Sequence, residues 1–354
     1  MLLLLAAAIV WWFGRKLDWN QVKSALASSD WRLILLAAGV VLSGYLWRAV
    51  RWQAFLAPIT KASLREIWIA TTVGYGAVLA IGRAGEVVRP LVLPMRDKRV
   101  RPAAAFATVF VERVYDALTV LLLFAVSLVW FTPSTVAASE FARARQMGFA
   151  LVAGLLLAIG VLIWFRSRSP RVIGWIDRRL RLKSQLGNRI KQALLGLLTQ
   201  LATALRVLAN VRELATTVGW SLLMWLSIAG ANLIVFRAFG LRLGLAHALF
   251  VLGWSMIGSA VPTPGGAAGA FHAITGGALV LLGVSTEKAA AVAIVLHLVD
   301  FAPAAVFGLF YFLRGDVNVA RLRLLMSSGA VEKAMEEKVK TSGQKHLEVA
   351  AANK

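Results

Sequence analysis

A chain of 354 residues that is 59% hydrophobic and only 16% charged is too apolar for a water-soluble fold, in which charged residues make up about 25%. The formal net charge of +22 raises nucleic acid as a partner. The cations, however, cluster beside apolar stretches of more than the ~20 residues that cross a bilayer, where they anchor loops and meet anionic lipid. There is no cysteine, and the four histidines form no HExxH pattern; disulfides and thiolate chemistry are excluded, and no metal site or cofactor is expected.

Taken in chain order, residues 1–13 are apolar but short for a span and show no small-residue cleavage site, so they read as a truncated or shallow first helix rather than a signal peptide. Residues 16–31 are mixed and carry interfacial tryptophan. A span follows over 32–56, with Arg48, Arg51 and Trp52 near its end expected at headgroup level. The next span, 64–81, holds Thr71, Thr72, Gly74, Tyr75 and Gly76, which favour a protein-facing side. Gly74-Tyr75-Gly76 completes no GxGxxG and follows no strand, so it is not a nucleotide fingerprint.

The first broken motif then reads Gly82-Arg83-Ala84-Gly85-Glu86-Val87-Val88-Arg89-Pro90. It leads into an apolar stretch over 103–131 that contains Glu112, Arg113 and Asp116, and a further span over 147–165. Between residues 166 and 212 lie eleven Lys or Arg and one acid, Asp177. Within this region Leu186, Ile190, Leu194, Leu197, Leu198, Leu201, Leu205 and Leu208 recur at helical steps. That pattern predicts an amphipathic helix, either lying on the cytoplasmic leaflet or packed on the protein.

Spans over 214–239 and 246–261 follow, then the second broken motif, Val261-Pro262-Thr263-Pro264-Gly265-Gly266, with Gly269 and His272 behind it. A partly crossing segment over 270–282 precedes the last span, 289–313, which carries His297 and Asp300. The prolines stop the preceding helix and the glycines allow close backbone approach. Residues 314–354 read as a disordered cytoplasmic tail.

Two halves repeat this plan. Gly85 and Gly269 are 184 residues apart, Glu112 and His297 185, and the alanine runs that begin at Ala103 and Ala289 186. The expected fold is an all-α polytopic membrane protein with about eight transmembrane helices, two broken or re-entrant segments and an inverted repeat. Residues 1–313 form a single membrane domain. Its half-repeats, 32–131 and 214–313, are joined by the basic cytoplasmic region 166–213. Paired broken segments of this kind point to a binding site near the bilayer midplane, and ionisable residues inside the hydrocarbon are costly and usually functional.

Glu112 and Asp116, at i and i+4, share a helix face, and Arg113 can pair with Asp116 and leave Glu112 for another helix. They read either as a polar site for a headgroup or proton, or as an ion-pair network locking helices together. His297 and Asp300, at i and i+3, make a similar patch. Glu86 and Arg89 sit in a glycine-loosened segment where Arg83 or Arg89 can meet a lipid phosphate or else snorkel to the interface. The expected lipid-binding set is Arg83, Glu86, Arg89, Glu112, Arg113, Asp116, His272, His297 and Asp300. Gly85, Pro262, Pro264, Gly265, Gly266 and Gly269 are expected to shape the backbone.

The combination of Arg83-Ala84-Gly85-Glu86-x-x-Arg89, Glu112-Arg113-x-x-Asp116, a long basic stretch and Pro262-Thr263-Pro264-Gly265-Gly266 resembles the lysyl-phosphatidylglycerol synthase transmembrane-domain family over roughly residues 17–314. That family is the flippase-like half of bacterial multiple peptide resistance factors and also occurs as stand-alone membrane proteins. The resemblance implies a bacterial inner-membrane protein that binds and translocates a phospholipid or polyprenyl-linked lipid, with a lipid synthase as partner. No aminoacyl-transfer domain is expected after Arg314. Where the family carries a glutamate after Pro-Gly-Gly this chain has Ala267 to Phe271 and then His272, and His297 stands where an arginine is common. A membrane enzyme or subunit of lipid headgroup modification or glycolipid synthesis is the alternative, although no nucleophile, metal triad or nucleotide-sugar motif is present.

The orientation is testable without the site. A cysteine placed at Gln185 of this cysteine-free chain is expected to react with an impermeant maleimide only after cells are opened, because a dense run of cations resists translocation. Labelling in intact cells overturns that topology.

Overall fold

In the computed structural model of the protein, the described residues are 14–15, 17–57, 59–130, 138–179, 191, 195, 198, 211–261 and 265–315. Residues 1–13, the run 186–208 apart from 191, 195 and 198, Pro262, Pro264 and the tail beyond 315 lie outside them, as does the side chain of Arg83. Every regular element among the described residues is helical. A short α1 (Trp19–Ala27) is followed by α2 (Trp31–Leu56) and α3 (Leu64–Ile81). Next come a 3-10 turn (Gly82–Val87), α4 (Val88–Arg96), α5 (Pro102–Trp130) and α6 (Ala138–Arg179). The second half holds α7 (Val211–Ala238), α8 (Leu245–Ala260), α9 (Ala268–Leu281) and α10 (Thr286–Leu313).

Local chemistry sets several of these boundaries. The Asp18 carboxylate accepts from the main-chain N–H groups of Asn20 and Gln21 at 2.9 and 3.3 Å and so caps α1. Asp30 caps α2 through the N–H of Arg32 at 2.9 Å. The N–H of Asp30 also donates to the carbonyl of Ala238 at 2.9 Å, which ties the start of α2 to the end of α7. Satisfying these orphan donors is worth about 1 kcal/mol per cap. Between α4 and α5, Asp97 is buried and receives the Arg99 guanidinium at 2.9 and 2.7 Å; those hydrogen bonds hold its carboxyl at a pKa of about 2.

Among the described residues, four helices, residues 31–56, 64–81, 215–238 and 286–313, are long and apolar enough to cross a membrane. At about 1.5 Å per residue the 29-residue α5 is as long as these. Helix α6, 42 residues long, extends about 63 Å, twice the ~30 Å hydrocarbon core. It therefore runs on past the apolar stretch expected to end at Phe165 and carries Arg166, Arg168 and Arg171 with it. The 14-residue α9, about 21 Å, is too short to span, as the sequence pattern indicates for residues 270–282.

Helix exteriors are apolar. Leu35 is 62% exposed, Leu157 70% and Val306 65%, a surface that water does not tolerate over so large an area but lipid does. Inside, α2 packs chiefly against α7 and α8 against α9. Phe124, Phe250, Phe271 and Leu296 anchor the core between the halves. Thr71 and Thr72 are fully buried, on the protein-facing side of α3 as expected. The same order recurs in both halves: long helix, second helix, broken motif, short helix, long helix with buried ionisable residues. The chain divides into compact units at Leu309–Phe310. In the second unit the described residues are the last turn of α10, where the Phe310 and Tyr311 rings meet edge to face, and its two-residue C-terminal turn.

Candidate lipid-binding site

The i, i+4 spacing on α5 puts Glu112 and Asp116 on one face, turned inward at 0% and 2% exposure. Four guanidiniums converge on them. Glu112 Oε1 lies 2.6 Å from Arg89, 3.2 Å from Arg51, 3.2 Å from Arg113 and 3.6 Å from Arg48. Asp116 is 2.7 Å from Arg51, 3.3 Å from Arg48 and 3.5 Å from Arg113. The Arg113–Asp116 pair and the interhelical partner for Glu112 both match the spacing argument.

Arg48, Arg51 and Trp52 correct the sequence reading. They do not sit at headgroup level but are buried, at 6%, 0% and 0% exposure. The physical reason is charge matching: two carboxylates on α5 would be untenable in the interior alone, and the i, i+3 pair on α2 reaches them across the helix interface. Neutral donors complete the set. Trp225 Nε1 donates to Asp116 at 3.1 Å and Arg51 donates to Ser221 at 2.8 Å. Arg48 and Arg113 both donate to the Tyr75 hydroxyl, at 2.5 and 2.6 Å. Arg89 lies over the Trp52 ring at 4.0 Å and is 3% exposed, so it points inward rather than snorkelling.

A cavity of about 100 Å³ opens against this network. Its lining brings the two halves together: Glu86 and Arg113 on one side, Asp300 and the Gly266–Ala267 backbone on the other, with Tyr45, Arg48 and Tyr75 between them. Arg89 lines a small recess beside Glu86 and Arg113. Glu112 and Asp116 stand behind the wall, bonded to residues that line it. Of the expected residues, then, Glu86, Arg113 and Asp300 face the cavity, Arg89 adjoins it and the two α5 carboxylates support it.

The histidines are placed differently. His297 is 5% exposed, with Nε2 3.3 Å from the carbonyl of Gly266. It is wedged among Phe271, His272 and Phe301 at ring separations of 5.0, 5.0 and 4.9 Å. His272 Nε2 is buried without a hydrogen bond. Both therefore lie behind the wall that Gly266, Phe271 and Phe301 form. Asp300 makes no ion pair among the described residues, and its Oδ1 is buried and bare; the Tyr45 hydroxyl donates to its main-chain carbonyl, at 2.7 Å, and not to its carboxylate.

Backbone shape follows from the two broken motifs. Gly265, Gly266 and Ala267 all have left-handed φ, at 70°, 63° and 64°. Two glycines adopt this freely, whereas Ala267, the positive-φ non-glycine among the described residues, is strained and buried at the cavity lining. In the first motif a Cβ on Gly85 would lie 2.3 Å from Val78 N and 2.4 Å from Ala77 C. That close approach seats the 3-10 turn on α3 and brings Glu86 to the cavity. Gly269 is buried near the start of α9.

Sequence reasoning missed Arg48 and Arg51 as site residues, together with Tyr45, Tyr75 and Trp225. The available signal was the pair of arginines inside a span whose own sequence holds no acid to match them.

No curated protein sequence matches the chain. The family described as the lysylphosphatidylglycerol synthase TM region matches residues 2–308, nearly the whole helical domain with both broken motifs and the buried α5 carboxylates, and the chain belongs to that family.

Proposed function

We propose that this integral membrane protein binds the headgroup of a phospholipid or polyprenyl-linked lipid in the cavity between its halves and carries it from one leaflet to the other. The observation that carries this reading is a charged cavity, walled by Arg48, Arg113, Glu86 and Asp300, inside a helical body whose outer surface is apolar. Buried charge is costly in a membrane and is retained where it meets a polar cargo. The matched family, a membrane region tied by name to lipid synthesis, supports a lipid as that cargo.

The repeated element order supports an inverted repeat, with the broken segments forming the two sides of the site. A volume of about 100 Å³ is comparable with the ~150 Å³ of a cavity that takes up benzene, which is room for a phosphate-sized group. The protein acts in this reading as a carrier in the bacterial inner membrane and not as an enzyme, with a lipid synthase as the natural supplier of its cargo.

The test is purified protein in vesicles of phosphatidylcholine and phosphatidylglycerol carrying a fluorescent phosphatidylglycerol, whose exchange between leaflets is followed by quenching from one side. Wild type is expected to accelerate exchange, and Arg113→Gln to slow it about tenfold or more. Losing a charged hydrogen bond to a phosphate costs ~1.5–3 kcal/mol, and 1.4 kcal/mol is tenfold. A folded wild-type protein that moves no lipid overturns the carrier reading and favours a subunit of a lipid-modifying complex.

A further inference from the structure

The cavity's charge is unbalanced in a way that names its cargo more closely. Among the described residues the network at its wall holds four guanidiniums, Arg48, Arg51, Arg89 and Arg113, against Glu112 and Asp116. Glu86, within electrostatic reach of Arg113, is the third acid. Among the described side chains one positive charge is left over on that side. It is directed at the cavity through Arg113, which lines it and whose side chain is 30% exposed.

The fourth acid, Asp300, stands apart on α10. Of the groups that surround the same cavity, Tyr45 and Arg48 come from α2, Tyr75 from α3, Glu86 from the 3-10 turn and Arg113 from α5. His272 of α9 and His297 of α10 lie behind the wall, while α7 and α8 contribute Trp225, Ser255 and Ser259. The guanidiniums of Arg48 and Arg113 are committed to Asp116, Glu112 and Tyr75. The Asp300 carboxylate thus makes no ion pair among the described residues and leaves a bare buried oxygen. An isolated carboxylate in such a place is relieved by a cation or by a proton.

We propose, resting on the carrier reading, that Asp300 is a proton-binding site and that the cargo is a phosphodiester monoanion, one negative charge and one proton crossing together. The phosphate matches the surplus positive charge beside Arg113, and the proton on Asp300 leaves nothing further to balance, so the loaded cavity is electrically neutral. Neutrality is what a site inside the hydrocarbon requires before the halves can exchange sides. The proton enters from water on the side where the lipid is loaded and leaves to water on the side of release. An ionised Asp300 would cancel the surplus instead, and the phosphate would then arrive uncompensated.

Two readouts test this separately. In vesicles of phosphatidylcholine and phosphatidylglycerol, infrared difference spectra of the full chain between about pH 5 and pH 9, a range that brackets a displaced carboxyl, are expected to show a protonated-carboxyl band that titrates. Asp300→Asn is expected to remove the band and Asp300→Glu to displace it, the second variant guarding against a failure of the first to fold. Exchange of fluorescent phosphatidylglycerol is expected to fall about tenfold per pH unit above the band's midpoint, as for one required proton. It should not respond to a potassium diffusion potential, and in Asp300→Asn its pH dependence should vanish.

A titrating band that is absent from wild type, or unchanged in a folded Asp300→Asn, overturns the proton site. Exchange that responds to the imposed potential overturns the paired transfer. Loss of the band on adding phosphatidylethanolamine assigns Asp300 to an ammonium group and overturns the proposal. A band with the expected variants but no lipid movement overturns the carrier reading while the proton site stands.

Discussion

Glu112→Gln is expected to be the most destabilising single charge removal in this protein, by about 3–5 kcal/mol. Four guanidiniums lie within 3.6 Å of one of its oxygens, and the residue is completely buried. The amide keeps the shape but not the charge, which leaves Arg48, Arg51, Arg89 and Arg113 with Asp116 and Glu86 as the remaining acids among the described residues. Such a loss is dominated by the uncompensated cations that remain rather than by the pair removed.

The cycle with Arg89→Gln makes that specific. Arg89 is the closest partner, at 2.6 Å, and removing both charges restores the balance. The double variant is therefore expected to be more stable than the sum of its parts by ~0.5–3 kcal/mol, the range for residues in one network. Thermal unfolding in lipid nanodiscs measures it. If Glu112→Gln keeps wild-type stability, the network is not what holds α2, α4 and α5 together. If it unfolds readily but retains leaflet exchange once folded, Glu112 is a supporting residue and the cavity-facing Arg113 carries the binding.

Gly85→Val is expected to abolish leaflet exchange and to lower the unfolding temperature. The Cβ would lie 2.3 Å from Val78 N, 2.4 Å from Ala77 C and 2.6 Å from Ala77 O. All three are main-chain atoms of α3, so no rotamer change relieves the clash, and the 3-10 turn must move off the helix. Overpacking of this kind costs ~1–3 kcal/mol or more. The shift also carries away Glu86 and Arg89, which face the cavity and its adjoining recess. Gly39→Ala is the control: its Cβ meets nothing within 4 Å, and in a helix interior alanine is favoured by ~0.5–1 kcal/mol. Equal behaviour of the two variants would show that the turn does not need its contact with α3.

Much of the helical plan is legible in the amino-acid sequence because apolar length and its interruptions are local properties. The stretches expected over 64–81, 103–131 and 214–239 correspond to α3 (Leu64–Ile81), α5 (Pro102–Trp130) and α7 (Val211–Ala238). The broken motifs fall where glycine and proline place them. The shared face of Glu112 and Asp116 follows from helical spacing alone, and so does the Arg113–Asp116 pair.

What the tertiary structure decided is which charges meet. An arginine near the end of a span can reach out to headgroups or turn in to a carboxylate, and nothing within 32–56 separates those choices for Arg48 and Arg51. Their acidic partners lie more than sixty positions away on α5, and only packing of α2 against that helix makes burial favourable. The same holds in reverse for Asp300. Glu112 and Asp300 are both acids within apolar helices, yet one is ringed by guanidiniums and the other makes no ion pair among the described residues. Spacing along one helix cannot express that difference, because the free energy of a buried charge is set by what neighbouring helices bring within about 4 Å of it.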